Sequence, residues 1–380
     1  MQVALFDHKV VPTNPIGGSH RRLLQGLCGE HDFTVFAVEF DNPSPERIRS
    51  IKVPLPTRPF VIMFLAYHLL APLFYVGFRL RHRSKFDLVQ IVESNLIFGD
   101  VSYTHFCHRA FLRHHWAQIG ARGLRGWLRW LDHRLHALLE PSIYRRVRHV
   151  VVPSHGLMRE LEAEYPVTRG KVSLIPNPVD SNRMRQPSDF DSSQFRAQLG
   201  LEPDAVLFVF VALGQFERKG LPVLLEALQQ LDDPHVRLLV VGGEPELVRK
   251  YRSRTERMGL ARNVMFAGMQ EDVRPYLWAA DAFVFPSFYE VFPLVALEAA
   301  AASLPLIATR LYGVEEFLID GENGLIVSPT AQDIALGVKR FLALSDAARR
   351  AMGERAAKSV QHFTVEDFLS AWRRLYENVG

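Results

Sequence analysis

Short runs of β-branched and aromatic residues recur along this chain, and stretches with helical spacing lie between them. In the first half the runs are residues 3–6, 33–38, 88–92, 102–105 and 149–152. In the second half they are 205–211, 236–241, 264–266, 282–285, 305–308 and 324–327. Runs this apolar are buried on both faces, the mark of parallel strands covered by helices. Strand–helix alternation in both halves predicts an α/β protein of two doubly wound, Rossmann-like domains. After Val172-Ser173-Leu174-Ile175, the stretch Pro176-Asn177-Pro178-Val179-Asp180 breaks regular structure twice with proline. It separates a domain of residues 1–176 from one of residues 177–363. A last helix over 364–380, with Thr364 as N-cap, repeats Val365, Phe368, Leu369, Trp372 and Leu375 at helical spacing. It is expected to pack back on the first domain.

Length and composition agree with this division. The 380 residues suit two domains, and 48% apolar content supplies two cores. A net charge of +4 fits an anionic partner without identifying one. Cys28 and Cys107 make neither a disulfide framework nor a zinc-ligand pattern, so a reducing compartment is expected. The start, Met1-Gln2-Val3-Ala4-Leu5-Phe6-Asp7, lacks the basic region and cleavage site of a secretory signal, which predicts a cytoplasmic protein.

One segment changes the picture. Residues 60–78 are almost wholly apolar and are followed by Arg79, Arg81, Arg83 and Lys85. A membrane span, a helix lying in the membrane plane and a buried core helix all fit this pattern. Further on come Arg109, Arg113, His114, His115, Arg122 and Arg129, with a helical stripe of Leu124, Leu128, Leu131, Leu135 and Leu138 beside Trp127 and Trp130. That stripe reads either as core beneath a solvated basic face or as a surface for anionic lipid or acidic glycan. An anionic membrane surface, on its inner face, is therefore a candidate partner. The basic residues carry no nucleic-acid-binding motif, so no nucleic acid is expected.

Three constellations carry candidate chemistry. Asn14-Pro15-Ile16-Gly17-Gly18-Ser19-His20 joins the first strand to the first helix, where paired glycines let backbone approach a phosphate. Without GxGxxG or a Walker lysine, nicotinamide and ATP-hydrolase readings lose support. Leu213-Gly214-Gln215-Phe216-Glu217-Arg218-Lys219-Gly220 puts two cations beyond a buried strand, where a diphosphate would need them. Finally, Glu290 and Glu298 stand eight apart on a strand–loop–helix element, Glu290 in the loop and Glu298 about one turn into the helix.

Together these elements resemble the retaining glycosyltransferases of family 4, which have the GT-B fold. The family's E-x7-E pattern is Glu290 and Glu298, and its phosphate-binding Lys-Gly is Lys219-Gly220. The likeness continues through Gly313-Val314-Glu315-Glu316 and Asp320-Gly321-Glu322-Asn323-Gly324, and through Ser154, Glu160-Leu161 and the Ile175–Asp180 stretch. It implies two Rossmann-like domains facing a central cleft. It further implies that Glu298 holds the nucleotide ribose, that Glu290 hydrogen-bonds the donor sugar, and that Lys219 and Arg218 neutralise the diphosphate. Gly17 and Gly18 would bring backbone against phosphate or sugar, while Gly214, Phe292, Leu294 and Val295 would line the donor site. His105, in Tyr103-Thr104-His105, matches a histidine the family places near the transferred sugar, with His108 its nearby competitor.

The reaction implied is transfer from a UDP- or GDP-sugar to a glycan or lipid-linked acceptor in cell-surface polysaccharide synthesis. No cofactor and no metal are expected. Hydrolysing nucleotide-sugar epimerases share the architecture, and a non-catalytic nucleotide-sugar binder also fits, but the placed E-x7-E and Lys-Gly patterns favour the transferase. The chain departs from the family at Gln215, where many relatives have Arg. It also departs at Val291, Pro293 and Ser303, positions often held by glycine.

Overall fold

The computed structural model describes residues 1–12, 14–57, 60–119 and 123–379, and Arg122 lies outside them. The chain divides into two compact units, Met1–Pro178 with Val365–Gly380 and, inserted between these, Val179–Thr364. The first unit holds strands β1 (Gln2–Phe6), β2 (Lys9–Val10), β3 (Asp32–Ala37), β4 (Glu39–Phe40), β5 (Arg49–Lys52), β6 (Leu88–Val92), β7 (Val101–Tyr103), β8 (His149–Val152) and β9 (Val172–Leu174). Seven of them form one sheet in the order β5-β3-β1-β6-β7-β8-β9, and β2 pairs with β4 apart from it. Every neighbouring pair in the seven-stranded sheet is parallel. The run at 102–105 ends early: β7 stops at Tyr103, so Thr104 and His105 stand in the loop at its carboxyl end.

Helices α1 (Pro15–Leu27), α2 (Phe60–His82), α3 (His108–His114), α4 (Trp116–Ile119), α5 (Gly123–Arg146) and α6 (His155–Glu164) accompany this sheet. α2 is neither a plain core helix nor a detached segment. Its inner face buries Met63, Phe64, Tyr67 and Ala71. Tyr67 Oη donates to the Phe36 carbonyl at 2.6 Å, and His68 Nε2 lies 3.0 Å from the Ser94 carbonyl. The opposite face leaves Ile62, Leu65, Leu69, Leu73, Val76 and Leu80 exposed, Leu69 by 72% and Leu80 by 76%. These residues recur every three or four positions and make one continuous stripe.

The leucine stripe of α5 is likewise not core. Leu124 and Leu138 are exposed, Leu128, Leu131 and Leu135 are half-buried, and the fully buried side chains include His136, Ala137, Glu140, Ile143 and Tyr144. The inward face of α5 is thus partly polar, and it meets α2 where the Phe64 and His136 rings lie 3.9 Å apart.

The second unit holds β10 (Val206–Val211), β11 (Val236–Val241), β12 (Val264–Gly268), β13 (Ala282–Phe285), β14 (Leu306–Thr309) and β15 (Gly324–Val327), in the order β12-β11-β10-β13-β14-β15. All neighbours are parallel. Its helices are α7 (Ser181–Met184), α8 (Ser192–Gln198), α9 (Leu221–Leu231), α10 (Pro245–Arg257), α11 (Arg274–Trp278), α12 (Leu294–Ala301), α13 (Ala331–Leu342) and α14 (Asp346–Ser359). Apolar clusters fill both faces of this sheet. Just past α12, Ser303 takes φ +63°, while the Ser303 and Leu304 amides bond to Ala300 and Ala299 carbonyls. This is the left-handed seat that ends helices and favours glycine, and a serine there carries roughly 1–2 kcal/mol of strain.

The final helix, α15 (Val365–Val379), belongs to the first unit. It buries Phe368, Trp372, Leu375 and Tyr376 in the same cluster as Val3, Leu5 and Leu24. The fit with α1 is close: a Cβ on Gly26 would stand 2.4 Å from Leu369 Cδ1.

Candidate active site

In the second unit the candidate residues gather at the carboxyl ends of β10 and β13, which are neighbours in the sheet. Ligands of open α/β sheets bind at this edge. The turn after β10 carries Arg218 and Lys219 and ends at Gly220, which caps α9 with φ +82°. Only glycine fits there, because a Cβ would stand 2.0 Å from the Pro286 carbonyl oxygen. That close approach sets Lys219 beside the loop after β13. Lys219 Nζ lies 2.5 Å from Glu290 Oε1, Arg218 Nη1 3.0 Å from it and Ser287 Oγ 3.0 Å from it. Arg218 also donates to the Tyr289 carbonyl at 2.6 Å and, through Nε, to Gln215 Oε1 at 2.8 Å.

Two cations therefore share one carboxylate, and the cluster carries one positive charge in excess. Its side chains are largely buried, 14% exposed for Arg218, 17% for Lys219 and 10% for Glu290. Burial alone would raise the Glu290 carboxyl, but Arg218 and Lys219 outweigh it and hold its pKa below the ordinary value. Burial pushes the Lys219 ammonium down, against the pull of Glu290. Such a cluster is suited to an anion, which would relieve the excess charge without a counter-ion from solvent.

Glu298 stands on α12, partly buried, as its fifth residue. Leu294 and Val295 form the first turn of α12, whose N–H groups precede the i−4 ladder. Phe292 and Gly214 complete the expected donor-site residues of this unit. The Phe292 side chain is packed in the core against Phe363, at 5.6 Å between ring centroids, so only its backbone is left for a ligand. Gly214 has φ outside the left-handed region and open space where a Cβ would stand, so the backbone does not demand glycine there.

In the first unit the glycine pair does not offer its amides. Gly17 N donates to the Asn14 side chain at 2.9 Å, capping α1, and Gly18 N donates to the Asn14 carbonyl at 2.7 Å. Gly17 is glycine for another reason, since a Cβ would stand 2.1 Å from the Lys9 carbonyl oxygen. His105 is brought to Asn177, its Nε2 3.4 Å from Oδ1 and 3.3 Å from Nδ2. The same Oδ1 accepts from Tyr103 Oη at 2.7 Å and Ser19 Oγ at 3.0 Å. Nearby, Tyr376 Oη donates to Gln90, Gln90 Nε2 to His20, and His20 Nδ1 faces Asp7 at 2.8 Å. Sequence reasoning named none of Asp7, Gln90 or Ser287 for these places. Gln90 becomes a partner only when elements far apart in sequence are brought together, while Asp7 and Ser287 meet residues close by in the chain.

Burial pushes the His105 imidazole down to about 3, and that of His8 down to about 4. Both are neutral in the folded chain at physiological pH and take up protons near pH 6.5 once unfolded. The stability this adds is complete above about pH 6.5 and is lost as pH falls toward about 4. Urea midpoints of the first unit should therefore fall steadily as pH drops below about 6.5, with a shallower fall in His105→Asn. A flat profile down to about pH 4.5 would refute the neutral, buried assignment.

Two family models match the chain. Residues 20–183 fit Glycosyltransferase Family 4, and residues 191–359 fit Glycosyl transferases group 1. A glycosyltransferase of Methanocaldococcus jannaschii, MJ1607, is 26% identical over 363 residues, covering 90% of this chain and 89% of that protein. The lipopolysaccharide core biosynthesis glycosyltransferase LpsE of Rhizobium meliloti is 36% identical over 183 residues, 47% of this chain and about half (52%) of LpsE. Among solved structures, Anabaena Alr3699/HepE in complex with UDP superposes with a TM-score of 0.75 at 19% identity, covering 100% of both chains, a likeness of fold. With two parallel α/β units and the two models together matched along most of its length, the chain is a GT-B glycosyltransferase of family 4 type.

Proposed function

We propose that this enzyme transfers a sugar from a UDP- or GDP-sugar to a glycan or lipid-linked acceptor, with retention of anomeric configuration. The observation that carries this reading is the excess positive charge of the Arg218–Lys219–Glu290 cluster at the sheet edge. As the sugar leaves, negative charge grows on the nucleoside diphosphate, and preorganised cations stabilise that charge without rearranging. Glu298 would hold the ribose, and Glu290 would turn one carboxylate oxygen to the sugar. His105, held neutral by burial, would act as a hydrogen-bonding group rather than an acid. The leaving phosphate itself would accept the acceptor's proton. The UDP bound by HepE supports a nucleotide donor, and the part LpsE plays in lipopolysaccharide core synthesis supports a cell-surface glycan as acceptor.

Thermal unfolding with UDP, GDP, ADP and their sugars tests the donor. Ligand at about 100 times its dissociation constant should add roughly 2.7 kcal/mol, and Glu298→Ala should abolish the gain. No stabilisation by any nucleotide would overturn the donor assignment. An epimerase, by contrast, would convert donor without any acceptor.

The same reading places the enzyme in the cytoplasm, against an anionic membrane surface. The α2 stripe is flanked by exposed Arg79, Arg81, Arg83 and Lys85, and exposed Trp127 and Trp130 stand on the neighbouring α5. Apolar residues that enter the headgroup boundary beside cations facing anionic lipid describe an in-plane anchor. Binding to anionic vesicles should weaken with salt and disappear in Leu69→Glu/Leu73→Glu, whose positions are already exposed. Absence of binding at low salt would overturn the anchor.

A further inference from the structure

We propose that Glu93, His108 and His136 form a site for one divalent transition cation of the zinc class, in the first unit. A carboxylate oxygen of Glu93 and one ring nitrogen from each histidine lie within 4.8 Å of one another. Two histidines and a glutamate are a set that holds zinc with one position open, at bonds of about 2.0–2.2 Å. Imidazole donors select zinc-like ions over magnesium or calcium. The three residues come from three elements: Glu93 follows β6, His108 opens α3, and His136 lies on α5.

The surroundings are those of a metal site. His136 Nδ1 is 2.6 Å from Ser94 Oγ, and His108 Nδ1 is 2.9 Å from His133 Nδ1. Outer partners on one ring nitrogen fix the tautomer and leave the other nitrogen for an ion. His108 Nε2 already lies 3.4 Å from Glu93 Oε2. Both histidines are buried, and Glu93 is 12% exposed at its side chain. Glu93 also sits at φ +48°, an uncommon backbone for glutamate and a frequent mark of function.

Charge points the same way. Glu93, Glu140 and Asp132 all lie within electrostatic reach of His108. Among the described residues, the only ion pair of Glu93 is to that imidazole. The Glu93 carboxylate would balance part of the charge of a divalent ion held beside it. In the metal-free arrangement the His108 and His136 rings are stacked, 4.1 Å apart and within 4° of parallel. Planes that are parallel do not meet at one ion, so binding must break the stack.

The alternative is a packed histidine core that binds nothing. Tag-free protein dialysed against chelator and titrated with Co²⁺ distinguishes the two. The expected result is one equivalent, with the intense visible absorption of a low-symmetry cobalt site, displaced by Zn²⁺. Glu93→Gln and His136→Asn should each weaken Zn²⁺ binding by at least about 100-fold, and His133→Gln, an outer partner, by about 10–100-fold. Glu93→Gln is nearly isosteric at a partly exposed position, so it carries the test should His136→Asn fail to fold. Failure to bind one equivalent, or unchanged affinity in folded Glu93→Gln, would overturn the site.

Discussion

Lys219→Ala is expected to lower turnover roughly 10²–10³-fold, the loss that follows removal of one preorganised donor from a developing charge. The geometry explains why the loss should fall on chemistry. Lys219 Nζ is 2.5 Å from Glu290 Oε1, but Arg218 and Ser287 reach the same oxygen. Removing Lys219 therefore leaves a buried carboxylate that is still paired, and the second unit should keep its fold. What disappears is the excess positive charge: with one cation and one carboxylate, the cluster becomes neutral. Turnover read as released nucleoside diphosphate should drop, while the melting temperature without ligand stays close to that of the parent. Near-normal turnover would remove Lys219 from the mechanism. Arg218→Ala should behave differently. Arg218 also binds Gln215 and the Tyr289 carbonyl, so its loss loosens the loop that carries Glu290 and should raise KM as well as lower kcat.

Trp372→Ala should destabilise the first unit by about 3–5 kcal/mol. Trp372 is fully buried, and its ring meets Tyr103 edge-on at 5.0 Å. Phe368 and Tyr376 lie on either side of it along α15. Alanine would leave a cavity that these large, well-fixed rings cannot close. Among the described residues, however, the indole Nε1–H of Trp372 meets no acceptor. An unpaired buried N–H costs about 1–3 kcal/mol, so Trp372→Phe removes a penalty along with part of the packing. It should cost far less than alanine. Equal urea midpoints for the two variants would refute this packing account. Tyr103 also bonds the Asn177 oxygen that faces His105, so the alanine variant should lose activity before it unfolds.

Most of the parallel strands were legible because both of their faces are buried, and burial on both faces is written as an unbroken apolar run. The edge strand β5 was not legible. Its residues Arg49, Ser50, Ile51 and Lys52 are mostly exposed, as edge strands often are. α5 misled for the opposite reason. Its leucines recur at helical spacing, yet the face turned inward carries His136 and Glu140, which periodicity reads as solvent-facing. The candidate zinc-class site hides behind the same inversion, since its ligands share no local spacing. Lys219 and Glu290 were legible as motifs on their own elements. Their ion pair was not, because it depends on β10 and β13 being neighbours although 70 residues separate them. Gly17 and Gly18 were legible as a helix entrance, but the Asn14 side chain that occupies the Gly17 amide is a matter of rotamer and not of pattern.

The return of α15 to the first unit has a consequence for the order of events on the ribosome. Domains generally fold as units while the chain emerges, the N-terminal one first. Here the first unit lacks Phe368, Trp372 and Tyr376 until the whole of Val179–Thr364 has been made. The nascent seven-stranded sheet must wait with an open apolar groove, while the second unit has every residue it needs before α15 is translated. The second unit should therefore acquire protease resistance earlier in synthesis than the first, reversing the usual order. During that interval the groove beneath α15 is the nascent chain's point of exposure to chaperones and to aggregation.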